Sequence, residues 1–195
     1  MVSSHEKLEQ AVVGIAGLGG LGSTVAVALA RAGVGRLIIA DFDTVEQDNL
    51  SRQQYFVDQV GKNKVDCVIE NLQRINPGVE VRGHQQRLDA DNIPKVFAGA
   101  DVIAECFDAA EEKRMIVETV LGRMDRPIVV TVSGLAGYGN SNAIQSRRIS
   151  ERLILVGDGE SGIDSGKILT AARVGIAACH QANAIIEVLI DEIKR

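Results

Sequence analysis

Short apolar runs alternate with stretches of helical periodicity along most of the chain. Residues 11–16 (AVVGIA) are apolar without polar alternation, the pattern of a strand buried on both faces. The turn GLGGLG at 17–22 follows, and a helix is expected over 23–32, closed by Gly33 as its C-terminal cap. Residues 37–40 (LIIA) read as a second strand that delivers Asp41 at its carboxyl end, and 42–56 are polar and irregular. A helix is expected over 61–75, with Val65, Val68, Ile69, Leu72 and Ile75 on one face and Asn76-Pro77-Gly78 as its stop. A third strand falls within 79–88, a short helix at 92–98, a buried strand at 102–104, a helix at 111–123 and another apolar strand at 127–132.

This alternation of strand and helix specifies an α/β fold: a doubly wound, mainly parallel, Rossmann-like sheet covered on both faces. The last third reads differently. Residues 142–148 and 153–156 suggest an antiparallel hairpin, 157–162 (GDGESG) a mobile loop, and 171–193 a mostly apolar closing helix. The first ten residues read as a short helix or arm. Without repeats or a low-complexity linker, residues 1–195 are expected to form a single domain. Residues 11–30 carry no charge and are long enough to span a bilayer, but five glycines cluster in them. Strand, turn and buried helix account for them better, and no membrane association is expected.

Composition narrows the classes. Hydrophobic residues make up 46%, with four Phe, two Tyr and no Trp, so the core must be aliphatic. A net charge of −5 argues against a nucleic-acid backbone binder. Cys67, Cys106 and Cys179 are too widely spaced for a CxxC pair, so neither a structural zinc nor a disulfide framework is expected. That usage, and the absence of a signal-peptide pattern, fit a cytoplasmic setting.

A strand, a GxGGxG turn and a helix place backbone N–H groups and a helix N-terminus around an anion, most simply the phosphates of a nucleotide. Gly17 suits the tight turn, Gly19 and Gly20 close approach to phosphate, and Gly22 packing of helix on strand. Asp41 stands where an acid takes ribose hydroxyls, of NAD as readily as of ATP. The turn and Asp41 therefore leave a dehydrogenase and an ATP-using enzyme equally open. The next segment separates them. Asn49, Arg52 and Gln53 put amides and a guanidinium at the carboxyl edge of the sheet, and Lys64, twelve residues after Arg52, sits on the first turn of the long helix. Two cations suit a triphosphate. Asp108, after a later strand, would carry a magnesium ion.

Together these segments resemble the ThiF/MoeB/HesA family, relatives of the ubiquitin-activating enzymes. The resemblance rests on GLGGLGS at 17–23, AGVG at 32–35, DFDTVEQDNLSRQ at 41–53, GKNK at 61–64, INP at 75–77 and ECFDAAEEKR at 105–114. The tail, including ARVGIAACHQAN at 172–183, is similar to the short ThiF branch of thiamine biosynthesis. The family implies an adenylyltransferase: the C-terminal glycine of a small ubiquitin-like sulfur carrier ending in Gly-Gly attacks the α-phosphate of ATP. By resemblance, Asp41 binds ribose, Asn49, Arg52 and Gln53 bind phosphates, Lys64 neutralises charge at the α-phosphate and Asp108 holds Mg2+. Asp43 joins the nucleotide site, and a homodimer is implied. No general base is needed, because the attacking carboxylate is already ionised.

The chain departs from the family in places. Ala109 stands where Asn usually follows the aspartate, the two zinc-binding CxxC pairs are missing, and 156–167 holds no cysteine for sulfur handling. The three cysteines are expected to be inert core thiols; Cys106, two residues before Asp108, is the leading candidate if one of them acts, and Cys179 and His180 are expected to pack inside the closing helix. Lys62 is the rival of Lys64. The glycine-rich stretch 133–140 is a candidate path for the carrier's tail. Two further readings stand beside the adenylyltransferase: an NAD-dependent oxidoreductase, resting on the turn and Asp41, and a non-catalytic carrier-binding module.

Overall fold

The apolar runs become the inner strands of one sheet. The computed structural model describes residues 3–161 and 168–192. In chain order the elements are α1 (Ser4–Glu9), β1 (Val12–Ala16), α2 (Gly20–Ala32), β2 (Arg36–Asp41), α3 (Lys64–Ile75), β3 (Glu80–Gln85) and α4 (Ile93–Val96). Then follow β4 (Val102–Glu105), α5 (Ala110–Arg123), β5 (Ile128–Val132), β6 (Gln145–Ser150), β7 (Leu153–Gly157) and α6 (Ala171–Glu187). The strands lie in the order β3-β2-β1-β4-β5-β7-β6. All neighbours are parallel except β6, which returns antiparallel along β7.

Alternate residues of each inner strand feed two separate cores, which is why these strands show no polar alternation. Val13, Ile15, Leu37, Ile39, Val102 and Val130 pack with α2, α3 and α6. Ile38, Ile103 and Val129 pack on the other face with Ile93, Phe97, Ile116 and Val120. Phe97 is fully buried there, and a Cβ on Gly14 would lie 2.6 Å from its ring. The doubly wound reading holds, as does strand–turn–helix for the uncharged stretch 11–30.

Several boundaries differ from the sequence pattern. α2 begins at Gly20 rather than at 23, because Gly20 and Gly22 belong to its first turn. α3 begins at Lys64 rather than at 61: Gly61 is left-handed (φ +87°) and Asn63 is the N-cap. The polar stretch 42–56 contains a 3-10 helix, Gln47–Ser51. The hairpin strand expected at 142–148 lies at Gln145–Ser150, exposed along its whole length, so no alternation marks it. Of the loop expected at 157–162, residues to Ser161 are held by Asp158, which accepts hydrogen bonds from the Ser161 N–H (2.8 Å) and Oγ (2.5 Å). Gly162 and Ile193, the last residue of the expected closing helix, lie outside the described residues. The helical stretch Ala171–Glu192 is long and apolar enough to cross a membrane, yet half of it is buried inside the fold as a core helix.

Candidate functional site

Strand order reverses between β1 and β4: the chain leaves β1 towards β2 and β3, then returns to lay β4 on β1's other edge. Their connections part in opposite directions, and a crevice opens beyond the carboxyl ends of β1 and β4. The glycine turn forms one lip and residues 106–109 the other.

Close packing shapes the turn. Gly17 is left-handed (φ +89°), and a Cβ there would sit 3.0 Å from the Cys106 carbonyl oxygen. A Cβ on Gly22 would lie 1.9 Å from the Gly17 oxygen, so the first turn of α2 rests directly on the glycine loop. Gly19 is the N-cap of α2 and, as glycine, supplies no side chain to cap the helix. Its position is open on the cleft side, where the nearest atom to a built Cβ is Gln53 Nε2 at 3.8 Å. The first N–H groups of α2 and its dipole therefore face the crevice. The Tyr55 hydroxyl donates to the Leu18 carbonyl at 2.7 Å and braces the loop from below.

Asp41 is buried at the end of β2. Its Oδ2 accepts the Leu18 N–H at 2.6 Å and its Oδ1 the Asp43 N–H at 2.8 Å. Each oxygen keeps a lone pair able to accept a hydroxyl. Lys64 Nζ donates to Asp43 Oδ2 at 2.9 Å, with the lysine side chain only 7% exposed and the aspartate 47%. Gly17, Gly19, Asp41, Asp43, Lys64 and Asp108 line a cleft enclosing about 110 Å3.

A second hollow of about 500 Å3 lies on the far side of the helix terminus, lined among others by Gly20, Arg52, Gln53, Lys113 and the segment Ser133–Ala136. Phe107 and Asp108 line both hollows. The expected residues thus divide into two groups, joined at the exposed Asp108. Among the described residues the Arg52 guanidinium makes only long hydrogen bonds, Nη1 donating to Asp48 O and Ser51 Oγ at 3.3 Å. Gln53 is buried, and its Oε1 has no partner among the described residues. Asn49 lines neither hollow; its Oδ1 accepts the Glu46 N–H, and its carbonyl accepts from the Arg52 and Gln53 N–H groups. It shapes the turn that carries them. Lys62 is exposed and lines neither hollow.

Of the thiols, Cys67 and Cys106 meet the expectation of core residues and Cys179 does not. Cys106 is buried, and burial first, then the charge of Glu105, pushes its thiol well above the usual range. It is a poor nucleophile. Cys179 is exposed rather than packed, and His180 Nδ1 lies 3.4 Å from Ser146 Oγ. Among the described residues no group of three or more His, Cys, Asp or Glu could hold a metal ion unaided. Mg2+ is commonly held by one or two carboxylates plus substrate phosphates, and Asp108, exposed where the two hollows meet, is one carboxylate that could serve.

Sequence reasoning missed the supports. Glu105 is fully buried, bound by Lys113 Nζ (3.1 Å to each oxygen), Thr131 Oγ1 (2.6 Å) and the Phe107 N–H (2.6 Å). It fixes the backbone that leads to Asp108. Arg173 is also buried; it donates to the Gly139 (2.7 Å) and Asn140 (3.0 Å) carbonyls and to Asp158 Oδ2 (2.8 Å), tying the glycine-rich segment to α6. Burial opposes ionisation of Asp158, but hydrogen bonds from Ser161, Glu160 and Arg173 hold its carboxyl well below the usual range. A charged residue inside an apolar strand or helix was the available signal for Glu105 and Arg173.

Known proteins resemble this chain in sequence and in fold. The molybdopterin-synthase adenylyltransferase of Salmonella typhimurium is 42% identical over 105 residues, covering 53% of this chain and 42% of that protein. The adenylyltransferase and sulfurtransferase MOCS3 of Caenorhabditis briggsae is 37% identical over 129 residues, 66% of this chain and 32% of that protein. The chain therefore spans less than half the length of these relatives. In fold it is similar to the E. coli tRNA N6-threonylcarbamoyladenosine dehydratase TcdA, solved with ATP: TM-score 0.86 at 20% identity, covering 95% of this chain and 88% of that one. The ThiF family model matches residues 2–194. With the glycine turn, Asp41 and the Asp108 loop gathered at one crevice, that match makes this chain a member of the ThiF family.

Proposed function

We propose that the chain adenylylates the C-terminal glycine of a ubiquitin-like sulfur carrier of the ThiS type, activating it for sulfur incorporation in thiamine biosynthesis. The observation that carries this reading is the meeting of two hollows at Asp108, beside a helix N-terminus whose glycine N-cap supplies no capping side chain. One hollow offers Asp41 to a ribose; the other is walled by residues 133–136, the start of the glycine-rich stretch 133–140, and can admit a narrow, unbranched tail. The names of the relatives, adenylyltransferases among them, point the same way.

In this reading ATP lies with its phosphates along the glycine turn. Lys64 and Arg52 balance the charge that grows at the α-phosphate, and Gln53, whose Nε2 lies by Gly19, donates an amide N–H to the same group. The carrier's carboxylate enters through the second hollow, forms a bond to the α-phosphorus, and pyrophosphate leaves. No proton need move. Mg2+, held by Asp108 and the phosphates, would supply further charge neutralisation. Lys64 and Arg52 favour a triphosphate over NAD, which Asp41 alone would also suit. Family resemblance supports a homodimer, and the cysteine usage a cytoplasmic setting. With Cys106 buried, the reading stops at the activation step.

ATP–pyrophosphate exchange tests it. Purified protein with Mg2+ and a carrier ending in Gly-Gly should catalyse exchange that depends on the carrier. No exchange with thiamine-, molybdopterin- or cysteine-pathway carriers would overturn the reading. Carrier binding without exchange would favour a non-catalytic module.

A further inference from the structure

Gly17 and Gly19 mark the phosphate end of the smaller cleft, and Asp41 on the neighbouring strand its ribose end. Strands stand about 4.8 Å apart, so a nucleotide lying along their carboxyl ends continues from β2 towards β3. Residues 86–88 follow β3, and Arg87 lines the cleft there with Phe42 and Glu112. The enclosed 110 Å3 falls below the range of about 300–1,000 Å3 usual for ligand pockets. A nucleoside must therefore rest partly on the open rim, and the rim residues decide how its base is held.

Three groups form that rim. Phe42, directly after Asp41, is 48% exposed, an aromatic ring left in water in a chain with four Phe and no Trp. The Arg87 guanidinium carbon lies 5.0 Å from the centre of this ring, within cation–π distance. Arg87 Nη2 also donates to Glu112 Oε1 at 2.7 Å, from the first turn of α5. The guanidinium plane is thus held from two sides before any ligand arrives, at a side chain 70% exposed that carries nothing of the core.

The geometry points to Arg87 as the base-holding residue of the nucleotide cleft: its guanidinium, braced by Phe42 and Glu112, is a flat platform on which the purine stacks. This rests on the proposed ATP-dependent function and adds a residue that decides affinity for the nucleoside as distinct from the phosphates. A planar guanidinium stacks on a π-face, whereas an ammonium offers only charge.

The experiment compares ATP with inorganic tripolyphosphate, which has no base, as calorimetric ligands. Arg87→Ala should weaken ATP about tenfold, the ordinary worth of one stacking partner. It should leave tripolyphosphate within about twofold, since an exposed charge is screened by solvent. Arg87→Lys should match Arg87→Ala for ATP, and both variants should melt as the wild type does. Equal weakening of both ligands, or wild-type ATP affinity in Arg87→Lys, would reduce Arg87 to a charge and overturn the proposal. Exchange activity is read in parallel. Wild-type protein that binds ATP through Arg87 but shows no exchange overturns the adenylylation reading alone. Normal exchange with unchanged ATP affinity in Arg87→Ala overturns this proposal alone.

Discussion

Lys64 is a buried amine whose partner, Asp43, stands half in water. That asymmetry gives the lysine a fixed place at little cost in stability. Lys64→Ala should lower exchange turnover by on the order of 100-fold or more, the scale of losing one charge-stabilising donor. Its melting temperature should stay close to wild type, because Asp43 remains solvated; unfolding and exchange on one preparation check both halves. GKNK at 61–64 made Lys64 legible, and the helix start at Lys64 separates it from Lys62. The pairing with Asp43 was not legible, since it joins the loop after β2 to the first residue of α3 and leaves no periodic trace. Cys106 makes the opposite case, a thiol beside the site that serves packing. Its folded thiol titrates above the unfolded value of about 8.5, so the folded state keeps a proton that the unfolded chain loses. That contribution is complete below about pH 8.5 and is lost as pH rises beyond it. Denaturant melts from pH 8 to 10.5 should show a shallower alkaline decline for Cys106→Ala than for wild type. Equal slopes would contradict the assignment.

The turn and α2 separate two kinds of glycine that look alike in the sequence. Gly22 is structural: any Cβ collides with the Gly17 carbonyl at 1.9 Å, and Gly22→Ala should cost about 3 kcal/mol or more of stability. Gly19 has ordinary backbone angles and open space, so Gly19→Ala should unfold within about 0.5 kcal/mol of wild type. The methyl would project where phosphate must approach, and ATP should then fail to raise the melting temperature. Thermal shifts with and without ATP distinguish the two variants. The turn was legible because its spacing follows from a strand meeting a helix. The start of α2 was not, since glycine is a poor helix former and the pattern placed the boundary after it. β6 shifted for a related reason: a strand exposed on every residue carries no hydrophobic period to read. Glu105 and Arg173 were overlooked because a charge inside an apolar segment argues against burial until its partners, distant in sequence, are known.

The alternation of apolar strand and helix was enough to give the class of the sheet, because both faces must be covered. Strand order was harder to read, since pairing β1 with β4 rather than with β3 depends on contacts between segments far apart in the chain. Val13 pairs with Val102 and Ala16 with Glu105, and across this seam the crevice opens. Gly17, Asp41 and Lys64 all precede residue 90, yet Cys106, Phe107 and Asp108 complete the wall. Closing so long a loop is slow in folding, because its entropy is lost before the contact forms. A ligand that needs both lips has nothing to grip until that seam is shut. ATP should therefore slow unfolding while leaving the refolding rate unchanged, a split that stopped-flow measurements with and without nucleotide can resolve. Equal acceleration of refolding would mean that the first half of the chain binds by itself. The reversal of strand order thus makes nucleotide affinity a gauge of completed folding, and a chain released half-made would hold most of the site's charges with no place to use them.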